Sequence, residues 1–125
     1  MSLPPAVVIH GLAHARLALA PGRPVTLLSA PGAALYAGCG WWRAMIAAAA
    51  TDMPDILDCA DAPGRALEAL SLGCKRLVLH PCPAWDTVAD HAAACGTVLL
   101  RQRPDALDLA RPGASRHIAA WLGIG

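Results

Sequence analysis

The sequence predicts an α/β fold: a three-layer α/β/α arrangement around a mostly parallel sheet of about five strands, in a flavodoxin-like or similar doubly wound order. Three observations predict it. Short apolar runs alternate with Ala- and Leu-rich stretches of helical length, and strands alternating with helices form βαβ units whose strands pair in parallel. The apolar runs are continuous, the pattern expected of strands covered on both faces. Glycines close the helical stretches shortly before the next strand, where a left-handed residue ends a helix. A chain of 125 residues has room for one such domain, spanning 1–125.

The elements follow in order. Ala6–Ile9 reads as the first strand, and the helical stretch after it ends at Gly22. Val25–Leu28 is the second strand, and Ser29-Ala30-Pro31-Gly32 turns it into a long apolar helix over 33–50. Ile56–Cys59 is the third strand. Asp61-Ala62-Pro63 then supplies an N-cap and an early proline for a helix that Gly73 closes. Arg76–Leu79 is the fourth strand, Pro83 precedes a helix starting near Trp85, and Gly96 leads into a fifth strand at Thr97–Leu100. Ala106–Leu109 reads either as a sixth, edge strand or as a loop. Ser115–Leu122 reads as a closing helix with Ile118, Ala119 and Leu122 inward.

Composition narrows the function classes. Hydrophobic residues make up 56% and charged residues 15%, against ~25% charged in an ordinary domain, so the chain is not disordered. The net charge of +1 offers no electrostatic attraction for nucleic acid or an anionic membrane. The segment 33–50 carries Arg43 and is mostly Ala and Gly, short of the ~20 strongly apolar residues of a spanning helix. A helix apolar all round is buried on more than one side. The stretch bearing Trp41 and Trp42 is therefore expected to meet a second copy, giving a homo-oligomer with a dimer favoured. Cysteines at 39, 59, 74, 82 and 95 are odd in number and form no CxxC pair, which predicts reduced thiols and a cytoplasmic setting.

Chemistry is expected at the carboxyl edge of the sheet, where ligands bind in open parallel α/β folds. That edge collects His10 after the first strand, Ser29 and Gly32 after the second, Asp58 and Asp61 at the third, and His80 after the fourth. The Ser29–Gly32 loop opens a helix and could offer backbone N–H groups to a phosphate or carboxylate. Catalysis is weakly signalled. Ser29 lacks the G-x-S-x-G elbow, because Leu27 holds the first glycine position. Cys59 could pair with His80 or His10 as a thiolate nucleophile, or simply be a buried strand-end residue. His10 and His14 have i,i+4 spacing, yet no H-E-x-x-H or paired-Cys motif accompanies them, and no metal is expected. Gly38-Cys39-Gly40-Trp41-Trp42-Arg43 ends in Arg and lies inside a helical stretch, so it is no dinucleotide fingerprint. No cofactor is implied.

The stretch His14–Met45 (HARLALAPGRPVTLLSAPGAALYAGCGWWRAM), together with Asp61–Gly64 (DAPG), resembles a group of small, uncharacterised alphaproteobacterial α/β proteins. The resemblance covers about half the chain and implies no activity and no catalytic residues. The leading expectation is binding of a small anionic ligand at His10, Ser29, Gly32, Asp58, Asp61 and His80. The alternatives are a small enzyme using Asp58, His80 or Cys59, and a structural protein whose product is the oligomer.

Overall fold

The computed structural model of the chain describes residues 2–123. Its strands are β1 (Ala6–Ile9), β2 (Thr26–Ser29), β3 (Asp55–Asp58), β4 (Arg76–Val78), β5 (Val98–Leu100) and β6 (Ala106–Asp108). The helices are α1 (Leu12–Leu19), α2 (Ala33–Tyr36), α3 (Cys39–Ala49), α4 (Pro63–Ser71), α5 (Trp85–Cys95) and α6 (Ile118–Trp121), the last preceded by a 3₁₀ turn over Ala114–His117. The strands form one sheet in the order β5-β4-β3-β2-β1-β6, and every pairing is parallel. The α/β class and the parallel sheet are as the sequence predicts. The sheet has six strands instead of about five, because Ala106–Asp108 pairs with β1.

Strand order decides the layering. From β1 to β5 each new strand is added on the same side of the last. Right-handed crossovers then place every connecting helix on one face, and a flavodoxin-like order would instead reverse direction. Neighbouring helices accordingly pack in a row, α1 on α3, α3 on α4 and α4 on α5. Their buried residues join Val7, Ile9, Leu27, Leu57, Leu77 and Leu79 in the main core, to which Ile118 and Leu122 of the closing turn also belong. The opposite face carries Ala6, Val8, Leu28, Ala30, Ile56 and Val78 as a second apolar cluster without helix residues.

Something other than helices must bury that second face. The only connection from β5 to β6 is residues 101–105. Leu100 to Ala106 is six Cα steps, about 22 Å at full stretch. In a flat sheet the outer two of six strands would stand about 24 Å apart, before the return from the carboxyl to the amino end is added. The sheet therefore coils, and the connector crosses its concave side. Leu100 of β5 and Ala6 of β1 consequently line one cavity with Thr26, Pro104 and Asp105. The continuous apolar strands reflect coiling and a strap on this face in place of a second helix layer.

The long helix expected over 33–50 is broken. Gly38 takes φ +97 between α2 and α3, a conformation that residues with a side chain rarely adopt. The break lets α3 turn Cys39, Trp42, Met45 and Ile46 inward. Trp42 is fully buried, and its indole Nε1–H donates to Asp55 Oδ2 at 2.9 Å, so each satisfies the other's buried polar atom. Trp41 stays 37% exposed. The other two tryptophans also anchor through Nε1, Trp85 to the Leu79 carbonyl and Trp121 to the Ala6 carbonyl, both at 2.7 Å. In the closing turn Ile118 and Leu122 are inward as expected, whereas Ala119 is exposed.

Candidate functional site

At the carboxyl edge the chain turns from strand to loop, and polar side chains gather around Asp58. Its side chain has no exposed surface. Oδ1 accepts the backbone N–H of Gly32 at 3.1 Å and of Ala60 at 2.7 Å. Oδ2 accepts Nη1 of Arg103 at 2.7 Å. A carboxylate removed from water needs such donors, and these come from three segments: the β2–α2 loop, the turn after β3 and the β5–β6 connector. Ala60 holds a left-handed backbone, φ 51, which costs about 1–3 kcal/mol outside glycine. Two hydrogen bonds fix it there, its own N–H to Asp58 and the His80 N–H to its carbonyl at 2.7 Å.

Ser29 belongs to the same arrangement. Its hydroxyl accepts the Asp58 N–H at 2.9 Å and donates to the Ala30 carbonyl at 3.0 Å. The first bond joins β2 to β3, and the second leaves the fully buried hydroxyl no free proton for a base to take. The N–H of Gly32, expected to meet a ligand, already faces the protein's own carboxylate. Of the sequence-expected residues, Ser29, Gly32 and Asp58 are thus brought into one cluster. His80 joins it through its backbone.

The remaining residues lie beside this centre. His10 Nε2 is 2.8 Å from Asp108 Oδ1, a link between the ends of β1 and β6. The His10 N–H donates to Nδ1 of His14 at 3.1 Å, so His14 carries its ring proton on Nε2 while that bond holds. Asp108 also accepts the Ala110 N–H at 2.9 Å. Partial burial raises its carboxyl pKa, but the Ala110 N–H, His10 and the charge of Arg111 together hold it below the ordinary 3.8. On the other flank, the His80 ring nitrogen Nδ1 lies 3.4 Å from the Arg101 carbonyl, and the Arg101 guanidinium stacks 3.9 Å from the Trp85 ring. Asp61 is exposed.

Two residues escape the sequence reading. Arg103 sits among basic residues with the appearance of a solvated loop, and its partner is 45 positions away. Asp108 reads as a charge that interrupts that cluster. The only cue was position, since both follow or end a strand.

Thiol chemistry has little support at this edge. Burial, with nearby acidic groups and thiols, pushes Cys59 up to about 12, so it is a thiol and not a thiolate at neutral pH. Burial likewise raises Cys39 to about 12 and Cys74 to about 11. Among the described residues, no group of three or more His, Cys, Asp or Glu side chains comes together with metal-binding spacing. No helix among them is long and apolar enough to cross a membrane. No protein-family model matches the chain, and no curated protein matches it.

The lowered Asp108 carboxyl gives a pH dependence of defined sign. The folded state favours the charged form, so the stability it contributes is present above the ordinary carboxyl value of 3.8 and is lost as pH falls through the lower folded value. The difference in melting temperature between the parent and Asp108→Asn is expected to shrink as pH falls below about 4. A difference that grows as pH falls below about 4 contradicts this assignment.

Proposed function

We propose that the protein binds a small anionic molecule at the carboxyl end of its sheet, with Arg103 as the contact group. One observation carries the reading: a buried carboxylate anchors Arg103 through a single nitrogen. A guanidinium has five N–H donors. The others form no hydrogen bond among the described residues, and none is a buried atom without a partner. They keep some access to solvent on a side chain that is 20% exposed, in the planar fork that suits a carboxylate or phosphate. Ser29, Gly32 and Asp58 then act by positioning Arg103. His80 and Arg101 flank the same edge, and His10 closes the far side. The five free cysteines support a cytoplasmic setting for this activity.

Orthophosphate, citrate and nucleoside monophosphates form the test panel for thermal shift and calorimetry. A true ligand at about 100 times its Kd adds about 2.7 kcal/mol to stability. Arg103→Lys keeps a positive charge opposite Asp58 but loses the fork, and is expected to weaken binding about tenfold. A panel that leaves the melting temperature unmoved, or a Lys variant that binds as well as the parent, counts against the proposal.

A second reading rests on a different surface. Leu35 (46%), Tyr36 (69%) and Trp41 (37%) are exposed along α2 and the start of α3. Trp42 is core, so this narrower patch is what the α2–α3 segment offers to a second copy in a homodimer. Light scattering is expected to give a dimer that Tyr36→Glu with Trp41→Glu converts to a monomer. A parent protein that is monomeric at micromolar concentration removes this reading.

A further inference from the structure

The amino end of the sheet holds a groove of about 820 Å³, within the roughly 300–1,000 Å³ of ordinary ligand sites. Ligands in parallel sheets usually sit at the opposite end, and it is the charge of its lining that sets this groove apart. Arg43 enters from α3, Lys75 from the loop before β4, and Arg76 from β4 itself, over an apolar floor that includes Ile46 and Ala47. Two carboxylates share the wall, Asp52 and Asp55. Asp55 is directed to the Trp42 indole, and neither carboxylate forms an ion pair with any of the three cations. The ion pairs among the described residues lie elsewhere, at His10–Asp108, Arg65–Glu68 and Arg103–Asp58.

Three cations and two carboxylates therefore share one cavity, with positive charge in excess and none of the three cations held in an ion pair among the described residues. Arg43 and Arg76 are half-buried, where repulsion is screened less than in open water. An anion bridging them relieves that repulsion and gains charge-assisted hydrogen bonds. We infer that this groove is a second binding site, for a small molecule carrying at least two acidic groups, such as a tricarboxylate or a pyrophosphate. Two or more acidic groups suit cations that come from two separate segments, α3 and the start of β4. The site is independent of Arg103 and lies at the other end of the strands.

The test is calorimetric titration of the full chain with two probes, citrate and inorganic pyrophosphate. Saturable binding of at least one probe is expected. Arg43→Gln and Arg76→Gln should each weaken it about tenfold, with Lys75→Gln as a further variant because Lys75 is exposed and its removal disturbs no packing. Arg65→Gln, on α4 and outside both sites, should leave it unchanged. Absence of saturable binding by either probe at millimolar concentration overturns the inference. So does binding that the groove variants do not weaken. Binding weakened only by Arg103→Lys also overturns it and assigns the anion to the carboxyl end instead.

Discussion

The buried carboxylate of Asp58 is the constraint around which the molecule is arranged. With no exposed surface of its own, it accepts two loop N–H groups and one guanidinium nitrogen. Those donors set the path of the β2–α2 loop, hold Ala60 in its left-handed turn and pin the strap that crosses the concave face. Such a buried pair does not guarantee net stability, since desolvation offsets much of the attraction. Its contribution here is positional. Removing Arg103 would leave the Asp58 carboxylate buried without a counter-charge.

The strap in turn explains how the sheet buries both faces with only one layer of helices. Strands added in one direction gather the helices on one side, and a flat sheet would then leave Val8, Leu28, Ile56 and Val78 open to water. Coiling brings the edges toward each other, and the short connector covers what remains. The cost of this solution is a polar chain segment laid over an apolar surface. Arg103 meets that cost by bonding to Asp58 while its other donors keep some access to solvent. The same feature that closes the fold thus presents a fixed cationic fork at the end of the sheet where ligands ordinarily bind.

Much of this was legible in the sequence, and the failures have physical causes. Strand positions followed from apolar runs, and helix ends from glycines: Gly96, for example, takes φ 72 at the end of α5. Continuous apolar strands report burial on both faces but not what does the burying, so a second helix layer was the natural and mistaken expectation. The break at Gly38 was hidden in a long apolar run rich in Ala. Candidate residues at the strand ends were found because polar groups are excluded from the strands themselves. Their roles were not, since Ser29, Gly32 and Asp58 satisfy one another only after the ends of β2 and β3 converge. The Asp58–Arg103 pair spans 45 positions and leaves no local pattern in the chain.

The central claim is that Asp58 and Arg103 act as one unit that fixes the strap. A double-mutant cycle measures this directly, using denaturant unfolding of the parent, Asp58→Asn, Arg103→Met and the double variant. The account predicts that Arg103→Met alone costs roughly 3–5 kcal/mol, the penalty for stranding a buried charge. It also predicts that the double variant is at least ~1 kcal/mol more stable than the sum of the single effects implies. Effects that add to within about 0.5 kcal/mol would contradict it.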